Sequence, residues 1–299
     1  MRDQFNGLNK MLEPQYPQPT SAVNTEDGSF ETIKYRIYIP VELGRDKPLP
    51  LGVYYHPGGF VIGQSMSDDV LCRAIAQQAG SIIVAVQYRL APEHKAPSQL
   101  EDALRAVEWT HRNAARIGGD ATKLYVLGAS AGAGLAFCVA RKFAMGQTAS
   151  GPRLIKGIVA LCPYTLHSKL IPEMYKLAHK SHQEHRYNVP MIDVSSMETF
   201  FNNAGLQPDD EDYFIALDRD CYRYLPPAYI STCEFDPLRD DGKIMVESLQ
   251  VANIPVKTDH YDGLPHCFWV FPALPETEVF FKKTISGTRW LISQMEASE

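Results

Sequence analysis

The feature that most constrains this chain is a regular alternation of short apolar runs with longer amphipathic segments. The runs are mostly apolar on both sides, which is typical of strands covered on both faces of a parallel sheet. They lie at residues 51–55, 82–86, 124–127, 158–161, 228–231 and 256–259. Helical patterns occupy residues 69–79, 99–115, 131–144, 242–251 and 276–295. Alternating strands and helices predict an α/β fold.

Two segments depart from this alternation. Residues 31–39 alternate polar and apolar side chains, which predicts a half-buried strand at an edge of the sheet. Residues 165–224 lack a strong strand pattern, so we expect a helical cap over the carboxyl ends of the strands, where such folds bind ligands. At about 150 residues per domain, a chain of 299 residues allows two domains. The pattern predicts instead a single domain over residues 1–299, with a cap contributed by about 1–25 and 165–224.

The charge balance limits the partners of this chain. Lys and Arg total 29 and Asp and Glu total 35, so the net charge is 29 − 35 = −6. No basic block is present that could offset the repulsion of a phosphate backbone. We therefore expect a small-molecule partner and neither nucleic acid nor an anionic membrane surface.

The sequence also carries information on compartment. Charges and prolines occupy the start of the chain, where a signal peptide requires a continuous apolar segment. The longest charge-free stretch of helical character, residues 124–140, is interrupted by glycines and fits a turn and a buried helix better than a membrane span. The six cysteines form no C-x-x-C pair. These features predict reduced, buried thiols in a cytoplasmic protein without a membrane span.

Residues 128–132 read Gly-Ala-Ser-Ala-Gly and match G-x-S-x-G, the pattern of a nucleophile elbow. The motif lies where that chemistry requires it, between the apolar run 124–127 and a helical pattern. A sharp turn would hold Ser130 in a strained backbone conformation, and Gly128 and Gly132 carry no side chain that could collide there. The start of the helix would direct N–H groups at developing negative charge. Ser130 is therefore the candidate nucleophile.

Residues 56–60 read His-Pro-Gly-Gly-Phe and directly follow the first apolar run. Loops at this position present backbone N–H groups to a tetrahedral intermediate. Pro57 has no N–H to donate. We therefore expect the oxyanion donors to be Gly58, Gly59 and Ala131. His56 is expected to brace the loop through backbone hydrogen bonds and to lie outside the catalytic set.

A serine nucleophile needs a histidine base and a carboxylate, expected in the order Ser, Asp or Glu, His. Asp236 follows the run 228–231, and Pro237 would open a helix and leave Asp236 on a loop that faces the serine. His266 follows the last predicted strand. The other acids near these positions are expected to be solvated or capping charges: Glu234, Asp240, Asp259 and Asp262. Three other histidines are weaker candidates for the base. His94 is expected on a loop, His111 on a helix face, and His260 within or beside a strand.

Three histidines, His179, His182 and His185, recur at three-residue spacing in the predicted cap. Such spacing can indicate a metal site. No cysteine or carboxylate set lies near them in the sequence, so we expect solvated surface histidines and no metal ion.

Taken together, several motifs resemble the hormone-sensitive-lipase-like branch of the α/β-hydrolase fold, the carboxylesterases that carry an HGGG motif. They are HPGGF at 56–60, YRLAPEH at 88–94, LED at 100–102, GASAG at 128–132, DPLRDDG at 236–242 and GLPH at 263–266. The resemblance covers roughly residues 50–295 in the order of the family. It implies an eight-stranded, mostly parallel sheet flanked by helices, with a helical cap. By position it assigns Ser130 as nucleophile, His266 as base, Asp236 as acid, and Gly58, Gly59 and Ala131 as the oxyanion hole.

This chain departs from the family pattern in three ways. Pro57 replaces a glycine, Cys267 stands where glycine usually follows the histidine, and the segment before the core is short. Cys267 is expected either to narrow the pocket or to make activity sensitive to thiol reagents.

The resulting hypothesis is hydrolysis of an ester of a small, largely apolar substrate through an acyl-enzyme, without a cofactor. An acyltransferase, a thioesterase or an arylformamidase-like amidase would use the same triad and stays open. A non-catalytic receptor is a further alternative, because the gibberellin receptors resemble this family but lack the histidine base. His266 argues against it. A homodimer is an expectation from the family alone.

Overall fold

The computed structural model describes residues 2–41 and 47–297. In these ranges the chain forms one eight-stranded sheet in the order β1-β2-β4-β3-β5-β6-β7-β8. β1 pairs antiparallel with β2 and β2 antiparallel with β4, and all other neighbours are parallel. The strands are β1 Val23–Phe30, β2 Ile33–Pro40, β3 Leu49–Tyr55, β4 Ile82–Gln87, β5 Gly119–Ala129, β6 Ile155–Leu161, β7 Ala228–Phe235 and β8 Val256–Pro265. The α/β-hydrolase fold with a mostly parallel eight-stranded sheet is thereby confirmed.

Helices cover both faces of this sheet. Side chains of the central strands alternate between the two faces, so that Val53 packs with one hydrophobic cluster and Tyr54 with the other. One cluster includes α3, α5 and α8, and the other includes α2 and α9. The helices are α1 Arg2–Leu12, α2 Asp69–Ala74, α3 Ser98–Arg112, α4 Ala114–Ile117, α5 Ala131–Ala144, α6 Ser181–Glu184, α7 Val194–Ala204, α8 Arg239–Val251 and α9 Pro275–Glu296. No helix in the described ranges is long and apolar enough to cross a membrane.

The edge strand differs from the prediction. Residues 31–39 were expected at the edge, but β2 there is the second strand, and β1 lies outside it. β1 has only two large apolar residues, Val23 and Phe30, at its ends, and most of its side chains are exposed. The strand therefore has little hydrophobic pattern of its own, and it forms by pairing along its whole length with β2.

The segment 165–224 contains helices, as expected of the predicted cap. α7 begins after Asp193, whose carboxylate accepts a hydrogen bond from the Ser196 N–H, and it ends at Gly205 in the left-handed conformation. Short 3₁₀ turns at Glu173–Tyr175, Ile215–Leu217 and Arg219–Tyr224 account for much of the remainder. The division of the chain into a sheet domain and a cap stays a prediction.

Candidate active site

The sharp turn between β5 and α5 positions Ser130. Its backbone angles are φ 53° and ψ −120°, a conformation that non-glycine residues rarely adopt. A Cβ atom at Gly128 would lie 2.4 Å from the Gly132 backbone, and one at Gly132 would lie 2.0 Å from the Tyr55 carbonyl oxygen. The turn therefore requires glycine at both positions, as the sequence motif predicts.

Ser130, His266 and Asp236 lie together at the carboxyl ends of the parallel strands. The Oγ atom of Ser130 is 2.8 Å from Nε2 of His266, and Nδ1 of His266 is 2.7 Å from Oδ2 of Asp236. All three residues are buried. The Asp236 Oδ1 atom also accepts the Leu238 N–H at 2.8 Å, which holds the carboxylate in orientation toward the histidine. These contacts form a continuous hydrogen-bonded relay from carboxylate to hydroxyl.

The electrostatic environment of His266 favours its protonated form. Burial acts to lower the pKa of His266, but the charge of Asp236 and the hydrogen bond to it act in the opposite direction. The net result is a pKa of His266 well above its ordinary value of 6.5. Asp236 thus stabilises the imidazolium that would form if His266 accepted a proton from Ser130.

The competing acids have other partners. Asp240 accepts hydrogen bonds from the N–H groups of Lys180 and Ser181, so it caps the start of α6. Glu234 accepts the N–H of Gly263. Asp259 accepts the hydroxyl hydrogen of Tyr229 and pairs with Lys283, and Asp262 is exposed. Of the five candidate carboxylates, Asp236 is the one that is hydrogen-bonded to His266.

The loop after β3 places glycines beside the elbow. Gly58 and Gly59 have φ angles of 121° and 59°, which glycine adopts without strain. The Gly58 carbonyl accepts the N–H groups of Val61 and Ile62, which closes the loop into a tight turn. Within the described ranges, no backbone carbonyl accepts the N–H groups of Gly58, Gly59 and Ala131. All three predicted donors are thus free to bind an oxyanion.

His56 braces this loop, as expected. Its Nδ1 atom lies 2.7 Å from the carbonyl oxygen of Pro57, and its ring stacks on Tyr88 at 4.2 Å between centroids. Burial lowers the pKa of His56 to about 4, so the ring is neutral and Nδ1 donates to the carbonyl. His56 makes no hydrogen bond to the relay residues.

Most aromatic residues of the predicted cap form a core. Tyr164, Phe201 and Phe214 are buried and contact one another edge to face at 5.4–5.7 Å. Phe200 of α7 is different, because its ring lies against Gly59: a Cβ atom built on Gly59 would be only 2.3 Å from Cγ of Phe200. The sequence pattern did not single out Phe200 among its aromatic neighbours, since contact with the loop depends on how α7 docks.

Three buried thiols lie near Asp236 and His266. Cys162 and Cys233 have their Sγ atoms 3.4 Å apart, and both lie near Asp236. Cys267 follows the histidine directly and is 5% exposed. Burial raises the pKa of Cys267 to about 11, so its thiol is protonated at neutral pH. All six cysteines are free and buried.

The predicted exposure of the cap histidines is wrong. His179, His182 and His185 are each less than 8% exposed. The first two contact Asp241, and His185 lies 2.9 Å from the carbonyl oxygen of Glu234 through Nε2. The carboxylate partner was missed because Asp241 lies about sixty residues away in sequence and reaches the cap through the first turn of α8. Asp241 belongs to the motif at 236–242, so its place in that motif was the one sequence signal for a carboxylate near these histidines.

The sequence profile of a family described as alpha/beta hydrolase fold matches residues 52–270. The chain belongs to this family, and the resemblance drawn from its motifs is confirmed. The versiconal hemiacetal acetate esterase of Dothistroma septosporum is 40% identical over 295 residues, which cover 98% of this chain and 88% of that protein.

Solved structures agree with this assignment. The crystal structure of vibralactone cyclase has a TM-score of 0.86 at 29% identity and covers 97% of this chain and 86% of its own. EstE1, a thermostable carboxylesterase cloned from a metagenomic library, has a TM-score of 0.84 at 26% identity and covers 97% of this chain and 96% of its own.

Proposed function

We propose that this protein hydrolyses an ester of a small, largely apolar compound through an acyl-enzyme formed on Ser130. The protein is a carboxylic ester hydrolase, since its relatives include named esterases. The observation that carries the proposal is the relay from Asp236 through His266 to Ser130, with distances of 2.7 and 2.8 Å. In such a relay the adjacent histidine activates the serine hydroxyl as a nucleophile.

The proposed steps assign one task to each of these groups. His266 Nε2 accepts the Ser130 proton as Oγ bonds to the ester carbonyl carbon, and the carbonyl oxygen becomes an oxyanion. The N–H groups of Gly58, Gly59 and Ala131 stabilise that charge, and one such donor lowers the barrier by about 3 kcal/mol in comparable sites. His266 then protonates the leaving alcohol. Water repeats the sequence on the acyl-enzyme, and the carboxylic acid is released.

We propose a short acyl group. The name of the relative from Dothistroma septosporum specifies an acetate ester. In this chain the Phe200 ring packs directly on Gly59, which leaves little free space beside one of the proposed oxyanion donors. An acetyl group requires less of that space than a long chain, so activity is expected to fall as the acyl chain lengthens.

Other uses of the triad remain alternatives. One similar structure is that of vibralactone cyclase, and an acyl-enzyme can pass its acyl group to an alcohol as well as to water. The hydrogen bond between His266 and Ser130 argues against a non-catalytic receptor that lacks the base. A cytoplasmic location and a homodimer stay predictions.

The test combines covalent labelling with turnover. Incubation with a serine-directed phosphonate and peptide mass spectrometry should locate the adduct on Ser130. In a series of nitrophenyl esters of rising acyl length, the acetate should be hydrolysed fastest. Ser130→Ala should lose labelling and lower kcat by at least about 10³-fold.

Ser231→Ala is the matched control. Ser231 is also a buried serine, on β7, and its Oγ has no hydrogen-bond partner among the described residues. This variant should keep both labelling and turnover. Normal turnover by Ser130→Ala would contradict the proposed mechanism, and transfer to an added alcohol in preference to water would favour the acyltransferase alternative.

A further inference from the structure

A second cluster of histidines and a carboxylate lies outside the relay and is formed by His179, His182 and Asp241. His179 and His182 belong to the predicted cap, and Asp241 lies in the first turn of α8. The Nε2 atom of His179 is 2.6 Å from Oδ1 of Asp241, and that of His182 is 3.6 Å from the same oxygen. The three side chains are 1%, 7% and 0% exposed. We call this group the His-His-Asp cluster.

Hydrogen bonding within the protein does not satisfy this cluster. Neither ring nitrogen of His182 has a hydrogen-bond partner among the described residues, although the residue is only 6% exposed. Nδ1 of His179 is also unpartnered there. Buried polar atoms in native proteins nearly always have a partner, so an orphaned imidazole calls for an explanation, and an ion is one. An ion pair between His179 and Asp241 accounts for the burial of those two side chains, but it gives the buried nitrogens of His182 no partner.

The donor set matches one class of ligand. Two imidazole nitrogens and a carboxylate oxygen are the ligands that Zn²⁺ and related transition-metal ions prefer. The three ligand atoms lie within 4.8 Å of one another. Two ligands of one tetrahedral ion at about 2.0–2.2 Å lie about 3.3 Å apart, so the three atoms are close to the spacing of three ligands, and water would take the fourth position.

The carboxylate is already held in position. Its other oxygen, Oδ2, accepts the N–H groups of Thr165 and Leu166 at 2.6 and 2.9 Å. Outer hydrogen bonds of this kind orient ligands at metal centres. Among the described residues, Oδ1 then faces the two histidines.

We propose that His179, His182 and Asp241 bind one divalent transition-metal ion of the Zn²⁺ type, which fastens the cap segment 165–182 to the start of α8. Asp241 lies five residues after Asp236, so the ion would hold the helix that follows the catalytic acid. The site is structural, since none of its members contacts Ser130 or His266. It departs from the expectation of no metal ion.

The experiment measures metal binding directly on the full chain, with any affinity tag removed. After treatment with a chelator, the protein is titrated with Zn²⁺ against a chromophoric competitor, and Co²⁺ is added separately to record the visible spectrum of the bound ion. We expect one ion per chain and a rise in Tm with Zn²⁺ concentration. His182→Ala should weaken binding by at least about 100-fold and abolish the Co²⁺ spectrum.

His185→Gln is the matched control. It changes the third histidine of the same series, whose Nε2 lies against the Glu234 carbonyl, and glutamine keeps a donor there. This variant, and Ser130→Ala, should bind Zn²⁺ like the parent. If His182→Ala is misfolded by circular dichroism, Asp241→Asn replaces it. Absence of binding by the parent, or equal binding by a folded ligand variant, would overturn the proposal, whatever the result for Ser130.

Discussion

Two buried histidine–aspartate groups take their carboxylates from one seven-residue motif, Asp236 from its first position and Asp241 from its sixth. In the relay, both nitrogens of His266 have partners, Asp236 on one side and Ser130 on the other. In the His-His-Asp cluster, His182 has none among the described residues. Both groups contain a histidine and an aspartate in contact, but the ring nitrogens are all satisfied in the relay and not in the cluster. The number of satisfied ring nitrogens therefore separates a proton relay from a candidate ligand site.

The carboxylates differ in the same way. Asp236 accepts one backbone N–H and is hydrogen-bonded to His266, whereas Asp241 accepts two backbone N–H groups of the cap, is hydrogen-bonded to His179 and lies 3.6 Å from Nε2 of His182. The first carboxylate orients a proton acceptor, and the second connects two parts of the chain. Each of these differences can be tested by one substitution.

The largest expected effect distinguishes the two carboxylates. In Asp236→Asn an amide N–H would face Nδ1 of His266 and place the ring proton on Nε2, where it could not accept the Ser130 proton. We expect kcat to fall about 10⁴-fold. In Asp241→Asn the amide oxygen can still accept the N–H groups of Thr165 and Leu166. That variant should lower Tm and metal affinity, and its loss of kcat should be far smaller.

Steady-state kinetics with nitrophenyl acetate and thermal unfolding of both variants provide the measurements. Equal losses of kcat would show that the two carboxylates do not have separate roles. A large loss of Tm in Asp236→Asn without a large loss of kcat would remove Asp236 from the relay.

Local chemistry and long-range packing differ in how far the sequence reveals them. The strands, the elbow at Ser130 and the positions of Asp236 and His266 at strand ends could be predicted because each depends on a few adjacent residues. β1 could not be predicted, because it has little hydrophobic pattern and is stabilised by its pairing with β2. The burial of His179 and His182 could not, because Asp241 meets them only after α8 and the cap pack together. Phe200 was missed for the same reason.

The pH dependence should report the histidine of the relay. Only neutral His266 can accept the Ser130 proton, and its pKa lies well above 6.5. The kcat/KM for an uncharged ester should therefore rise about tenfold per pH unit below that pKa and level off above it. A plateau already reached below pH 6.5 would contradict the raised pKa.

Stability should change in the opposite direction. A raised pKa in the folded state means that the His266–Asp236 pair contributes its full stability below the unfolded value of 6.5. That contribution is lost as pH rises through the folded pKa. The difference in unfolding free energy between the parent and His266→Gln should stay constant below pH 6.5 and shrink between pH 6.5 and the folded pKa of His266. A difference that grows with pH would have the wrong sign.

The smallest expected effect concerns Cys267, beside the base. Its φ of 53° lies in the left-handed region, where glycine is relaxed and a side chain is strained by about 1 kcal/mol. Cys267→Gly relieves this strain but loses the packing of a buried side chain, about 0.8 kcal/mol per methylene-sized group. Stability should therefore change by less than about 1 kcal/mol. Cys267→Ala loses the sulfur and keeps the strain, so it should be less stable than the glycine variant.

The same burial argues against sensitivity to thiol reagents, one of the two expectations from the sequence. A thiol 5% exposed with a pKa of about 11 presents almost no thiolate at neutral pH. The parent and Cys267→Gly should lose activity equally slowly in N-ethylmaleimide. Rapid inactivation of the parent alone would show that this part of the relay opens to solvent. The relay around His266 would then be more accessible to solvent than the His-His-Asp cluster around His182. Burial would no longer be a property that the relay and the cluster share.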